Sequence, residues 1–510
     1  MKALCIFLIA LSVYLVDYKV FLTGNDARIN VHLPVAILKY GRFIIPAEKF
    51  PRLFNWGLNT NTGWQNVNYE NFDVLMRVRP DLLSFGLLTP RPRVYSLAWT
   101  QNPAEFANTY GIGVGIAALP FYAAIAAYDR KLLDNIKVLW FTGKVAAATY
   151  VALSAMLVFL ILCLLCSQRI AFLVSLFYAL GTCVYSVASQ TLWQQTPSIF
   201  FVTLATYFFL RSEHLQMIAR ANESKKAPLP RQGWHQPNFA LNLPSLMQLL
   251  NFDTVLCGLA VGLAAFCRPT NFLLVPLFGS YFFLLRRQRA LAFLLGVLPM
   301  LIIQFYYNFV IFGHMTKFGQ TEIGRNIAQF KTGLAEVWQW NFRESIPGML
   351  FSPSRGLFFF SPLLIIGILG VWEIFKNKKW LPFRYLIPIP LTFFLIQASW
   401  FDWWGGWSYG YRTLLEACPF LCLFLAPALE KNRSLWRRSA FALLFVWSLS
   451  VQFVGAYSYD YTWNSRPCDV DRATCRFRLW TLKDNEIFFY ATNLSRSRQV
   501  KLRNVEAWIR

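Results

Sequence analysis

Apolar runs of roughly 15–25 residues recur from one end of this chain to the other, and that repetition limits the fold more than any single motif. Backbone placed in hydrocarbon has no water to bond, so each run is expected to satisfy its own amides as a helix. The chain has 510 residues, 56% of them hydrophobic and only 15% charged. Soluble domains carry about 25% charged residues. The sequence therefore reads as an all-α polytopic membrane protein. Its first run, "ALCIFLIALSVYLVDYKVFL", follows Met1 and Lys2 with no clean small-residue cleavage site, so a first span is expected rather than a signal peptide.

About eleven spans are expected, near 3–22, 138–165, 170–189, 194–210, 254–267, 270–285, 290–312, 357–375, 380–399, 413–429 and 439–457. Lys and Arg collect between them, in "SQR" (167–169), "RRQR" (286–289), "KNKK" (376–379), "KNRSLWRR" (431–438) and a basic loop over 211–250. The net charge of +24 is thus dispersed in short clusters, a positive-inside pattern and not a nucleic-acid-binding stripe. With the amino terminus cytoplasmic, every cluster falls on the cytoplasmic side and the carboxyl terminus lies outside. This divides the chain into a transmembrane domain (1–457), with a long first external loop over 23–137, and a small external region (458–510). The apolar segment 110–128 in the first loop is expected to lie at the outer interface, because a span there would invert everything after it. The stretch "SKKAPLPRQGWHQPN" reads as a mobile cytoplasmic loop. Most of the ten cysteines sit in apolar runs, but Cys468 and Cys475 share a polar external stretch and are either a disulfide or two free thiols.

The external loops carry the polar chemistry. On a helix, Arg28, His32, Lys39 and Arg42 fall within about 80° of one another, with Ile29, Leu33, Ala36, Ile37 and Tyr40 on the other side. This predicts an amphipathic helix in the headgroup layer, with Pro34 marking a bend or break. Asp26 stands at its start, as an N-cap or as a reactive acid. "LFSPSRGLFFFSP" (350–362) places Arg355 at the outer mouth of a span, and "SWFDWWGGWSYGYRTLLEACP" (399–419) places Arg412 at another. Two such cations suit a phosphate or a lipid headgroup. The aromatics around them are an interfacial belt or a stacking surface for a sugar or isoprenoid. The Gly-Gly pair beside them signals a tight turn or a close backbone approach. Arg268 sits at a further outer corner, and Gln194 and Gln195 offer neutral hydrogen bonds at another. His314, Lys317, Glu322 and Arg325 share one external loop without metal-ligand spacing. "DVD" (469–471) looks like a metal-binding pair of soluble sugar-nucleotide transferases but lacks their alternating α/β context, so a divalent metal is possible but not indicated.

An acid just outside the first span, a long first external loop and about a dozen spans resemble the GT-C glycosyltransferases, among them the protein O-mannosyltransferases and the bacterial aminoarabinose and arabinofuranosyl transferases. "SPSRGLFFFSP" and "WWGGWSYGYR" look like a bacterial subgroup, and the resemblance covers roughly residues 1–457. It implies a GT-C-like bundle that transfers a sugar, with inversion, from a polyprenyl-phosphate donor on the outer face of the bacterial inner membrane. The implied acceptor is a hydroxyl or amine of a glycan, lipid or protein. On this resemblance Asp26 is the general base. Arg28, Arg355 and Arg412 hold the donor phosphate, supported by Lys39, Arg42 and Arg268. Trp403, Trp404, Trp407, Tyr409 and Gln194 contact sugar or lipid. Many relatives carry two adjacent acids where this chain has Asn25-Asp26, which leaves one base and weakens the case for a divalent metal. An oligosaccharide ligase or polymerase would instead centre on Arg and His of a later loop. A transporter would place ionisable groups near mid-membrane, whereas here Lys144 lies near the outer end of its run.

Overall fold

The computed structural model describes residues 1–68, 97–226, 251–430 and 435–509, apart from short gaps at 19, 23–24, 47–48, 51–52, 54, 61–62, 103–104 and within 322–335. The chain begins with α1 (Lys2–Leu15), enters the first loop through α2 (Asn25–Tyr40), and leaves it through α3 (Gly113–Tyr128) and α4 (Ile136–Cys163). Next come α5 (Gln168–Leu180), α6 (Gln195–Lys226), α7 (Phe252–Cys267), α8 (Leu274–Leu285) and α9 (Ala290–Phe312). Then α10 (Phe342–Phe351), α11 (Leu364–Lys376), α12 (Pro388–Ser399) and the broken helical stretch α13 (Arg412–Glu430) lead to α14 (Leu435–Ser458). The final helix is α15 (Leu494–Ile509).

Composition and capping explain the long elements. α4 runs 28 residues, about 42 Å at a helical rise, and Asn135 caps it by accepting the Lys137 N–H. Asn251 caps α7 in the same way through the Thr254 N–H. Glycines let α7 and α9 touch backbone to backbone: a Cβ on Gly258 would meet the Phe293 carbonyl, and one on Gly296 would meet that of Val255.

Among the described residues, five stretches are long and apolar enough to cross a membrane: Ile136–Cys163, Arg287–Phe312, Lys378–Ser399, Arg412–Glu430 and Arg438–Ser458. Each of the other expected spans also contains helix. The outward face of α9 is a helical stripe of exposed Leu291, Leu295, Leu298, Ile302 and Tyr306, a surface suited to lipid and not to water. The chain is an all-α polytopic membrane protein. One end of the bundle is tied by Arg211–Asp253, by Glu213 with Arg286 and Arg289, and by Lys379–Glu430. Glu213 lies 18 residues along α6 from Gln195, so about 27 Å separates that end from the corner at 190–195.

The first loop departs from expectation in two ways. It holds strands as well as helices: β1 (Ile45–Pro46), β4 (Leu97–Trp99) and β5 (Glu105–Asn108) pair antiparallel in the order β1-β5-β4, and β2 (Asn55–Thr60) pairs with β3 (Gly63–Asn68). Moreover, α2 is not a surface helix with a basic stripe. Residues 29–36 are all buried, with Leu33 against Gly115 of α3 and Val31 against Gly143 of α4. His32 is enclosed with them, its Nδ1 2.7 Å from the Arg28 carbonyl, and burial pushes its pKa down to about 4. Gly115 and Gly143 let α3 and α4 approach α2 closely, so Leu33 and Val31 pack against helices. Pro34 is accommodated inside α2 without ending it. The expected mobile loop lies outside the described residues beyond Lys226, as do Glu322 and Arg325.

Candidate active site

At the end of the bundle opposite the Glu213 ion pairs, four main segments of the chain, joined by Asp26, Thr109 and Tyr110 and by Phe318, Gln320 and Trp338, line a cavity of about 1370 Å³. A single π-helical turn, Val184–Ala188, ends the run that follows α5 and delivers Trp193, Gln194 and Gln195 to its wall. Arg268, at the end of α7, forms a second part. The loop 400–413 forms a third; there Gly405 and Gly406 adopt φ of +76° and +63°, the left-handed turn that two adjacent glycines permit. Residues from Asp460 to Asn504 supply the fourth.

Asp26 lies on this wall, and both of its carboxylate oxygens are held. Tyr110 donates its hydroxyl to Oδ1 at 2.6 Å, and Arg412 donates to Oδ2 at 2.8 Å. Arg412 also donates to the Gly405 carbonyl at 2.9 Å and lies over the Trp193 ring, 4.5 Å from its centroid. A buried amide chain sets the Asp26 end. Asn30 donates to the Leu192 carbonyl at 2.8 Å and accepts from Asn108 at 2.7 Å, and Asn108 in turn accepts the Tyr110 backbone N–H at 2.9 Å. One network therefore joins α2, the 190–195 corner and the tyrosine that touches the acid.

Arg268 is 7% exposed and is balanced by Glu416, buried at 1%, across 2.5 Å. Ser198 donates to the other Glu416 oxygen at 3.1 Å, and Asn271 donates to Ser198 at 2.7 Å. Among the described residues, the Nε atoms of Arg268 and Arg412 and the side-chain carbonyls of Gln194 and Gln195 have no hydrogen-bond partner. Four buried polar groups left open around one cavity is a concentration that folding alone does not favour. Among the described residues, no three His, Cys, Asp or Glu side chains converge as a metal site.

The structure thus brings together Asp26, Arg412, Arg268, Gln194 and Trp407, and places the other expected site residues elsewhere. Arg28 is half-buried and outside the cavity wall. Lys39 pairs with Asp134 at 2.5 Å and Arg42 with Glu105 at 3.4 Å, away from the cavity. Arg355 is 1% exposed, bonded to Glu486 at 2.6 Å and to the Ser354 and Trp404 carbonyls, so its donors are occupied in tying the 400–413 loop to the carboxyl-terminal region. Trp403 and Trp404 are buried and donate to Glu344 and Asp471, and Tyr409 donates to the Val451 carbonyl. Asn30, Asn108, Tyr110, Trp193 and Glu416 join the site without a sequence signal, since polar side chains inside apolar segments leave no periodic trace. Cys468 and Cys475 are joined as a disulfide, with Cα atoms 5.9 Å apart.

The fold and cavity define a polytopic helical membrane protein with a charged pocket at one end of its bundle. No protein-family model and no curated protein matches the chain. Among solved structures it is similar to the crystal structure of ArnT from Cupriavidus metallidurans bound to undecaprenyl phosphate, with a TM-score of 0.44 and 11% identity over 99% of this chain and 74% of that one. A likeness with so low a TM-score carries no argument about chemistry, which rests on the geometry of the cavity.

Proposed function

We propose that this protein is a GT-C-type glycosyltransferase that moves a sugar from a polyprenyl-phosphate donor to an acceptor at the outer face of the bacterial inner membrane. The observation that carries the reading is the convergence of Asp26, Arg412 and Arg268 in one cavity at a bundle end. In this reading the acceptor oxygen or nitrogen attacks the anomeric carbon from the side opposite the phosphate. Its proton passes to Asp26, the carbon–oxygen bond to phosphorus breaks, and that electron pair leaves with the polyprenyl phosphate. A single displacement of this kind inverts the anomeric centre. Arg412 and Arg268 answer the charge that gathers on the leaving phosphate. The apolar side of the cavity, with Leu273, Phe318 and Ile396, suits the isoprenoid.

Because Arg412 already holds Asp26, a donor phosphate competes for the same guanidinium. Donor binding then loosens the base at the moment it is needed. Arg355, Lys39 and Arg42 are assigned structural roles, and Arg28 no direct one. The test is release of polyprenyl phosphate from a sugar-linked polyprenyl phosphate, measured with purified protein and envelope acceptors. Asp26→Asn is expected to lower turnover by about 10²–10⁴ while donor binding persists. Near-normal turnover in that variant would remove Asp26 as the base.

A further inference from the structure

The cavity has two unlike walls. One is apolar and aromatic, with Leu273, Phe318, Trp338, Ile396, Trp400 and Phe401. The other comes from the carboxyl-terminal region and is mostly polar, with Asp460, Ser465, Arg466, Asn493, Arg496 and Asn504 beside Phe489 and Val500. Trp407 also lines the cavity and is 38% exposed. Its ring is fixed at the edge: Asp469 Oδ1 accepts the indole N–H at 2.9 Å and the Asp471 backbone N–H at 2.9 Å. Asp469 belongs to the loop closed by Cys468 and Cys475. An indole tied at its nitrogen with part of its surface open is an oriented platform for an apolar ring face.

Asp460 contributes a directional group. It is 4% exposed; one oxygen accepts the Thr462 N–H at 2.9 Å and the Tyr490 hydroxyl at 3.0 Å. The other oxygen, Oδ2, has no hydrogen-bond partner among the described residues. A buried carboxylate oxygen without a donor is costly. The next residue, Tyr461, adds strain, with a φ of +69° that non-glycine residues rarely adopt. Arg466 and Arg496 are exposed on the same wall.

We propose that the wall formed by residues 460–504 is the acceptor subsite, and that the acceptor is a saccharide. One sugar ring stacks on Trp407, a hydroxyl donates to Asp460 Oδ2, and further hydroxyl oxygens accept from Arg466 and Arg496. This rests on the glycosyl-transfer reading, whose donor half it leaves to Arg412 and Arg268. A lipid acceptor would need a continuous apolar surface on this wall, where Phe489, Val500 and the Tyr461 ring are outnumbered by charged, amide and hydroxyl side chains. An extended peptide would seek an open strand edge, and the described residues of 460–504 contain no strand.

The experiment uses the full chain in detergent micelles on an array of neutral, amino and uronic-acid oligosaccharides, beside separate titrations with a polyprenyl phosphate and with unstructured peptides. A subset of saccharides is expected to bind, about tenfold more weakly to both Trp407→Leu and Asp460→Asn, with polyprenyl phosphate binding unchanged in each. Asp460→Asn keeps the oxygen that Thr462 and Tyr490 use, so it tests Oδ2 without dismantling the turn. Absence of any saccharide binding, binding equal in all three proteins, or binding of peptides alone would each overturn the proposal. Saccharide binding that depends on Trp407 without polyprenyl phosphate binding would leave this subsite standing and remove the donor reading. The reverse pattern would do the opposite.

Discussion

An Arg355→Leu substitution would strip the cation from a carboxylate that water does not reach. Arg355 is 1% exposed and Glu486 0%, and the guanidinium stands 2.6 Å from Oε2, which also accepts the Gly410 N–H at 3.1 Å. Removing one member of a buried pair costs about 3–5 kcal/mol, because the partner keeps its desolvation penalty without its counter-charge. Replacing both, as Arg355→Leu with Glu486→Leu, is expected to recover much of that loss. Recovery stays partial, since the Ser354 and Trp404 carbonyls that Arg355 satisfies remain unpaired. The effect has a pH signature. Burial pushes Glu486 up to about 7 from an ordinary 4.5, while Arg355 pulls it down. The folded chain therefore binds this proton more tightly than the unfolded chain, and stability falls as pH rises across that window. Without Arg355 the carboxyl rises further and the window extends upward, so the deficit of the single variant is larger near about pH 8 than near about pH 5.5. Denaturant unfolding in micelles at the two pH values measures it, with polyprenyl phosphate binding followed on the same samples. Unaltered unfolding combined with lost phosphate binding would refute the reasoning and return Arg355 to the donor site.

Arg412→Lys keeps the charge but loses the fork that bridges Asp26 and the Gly405 carbonyl, so the donor KM is expected to rise about tenfold or more; an unchanged KM would remove Arg412 from the phosphate. Asn30→Leu leaves the Leu192 carbonyl and the Asn108 amide without partners, about 1–3 kcal/mol each. Its turnover should fall more than its donor affinity, and a variant with normal kcat would show that the amide chain does not position Tyr110 and Asp26. Cys468→Ser opens a short loop whose closure is worth about 2–3 kcal/mol on chain-entropy grounds, and it should speed amide exchange across Asp469–Arg472. Identical exchange in the two proteins would contradict a constraining role for the disulfide.

The apolar runs make the helices legible because a span must be long, uncharged and self-bonded, and those demands are written locally. Asp26, Arg412, Arg268, Gln194 and Trp407 are legible because topology places loop residues at the same bundle end even when they are far apart in the chain. Arg355 shows where that logic stops. It sits in the same kind of span mouth as Arg412, yet Glu486, 131 residues later, reaches it and occupies its donors. No local pattern announces such a partner. The basic stripe of α2 fails for a related reason: periodicity separates two faces of a helix but does not say how many neighbours will cover them. Here Gly115 and Gly143 let α3 and α4 close on Leu33 and Val31, and His32 is enclosed beside them.

The disposition of the cavity also sets an order of events in the life of the chain. Asp26 is synthesised before its Arg412 partner, which follows 386 positions later, and the wall from Asp460 to Asn504 comes after both. The Cys468–Cys475 bond bounds part of this wall, and such a bond closes only in an oxidising environment. A chain stalled or clipped before Asp460 would carry the acid and its arginine in a cavity open on one side. On the proposed reading, packing of this wall thus couples the onset of chemistry to a late step of biogenesis.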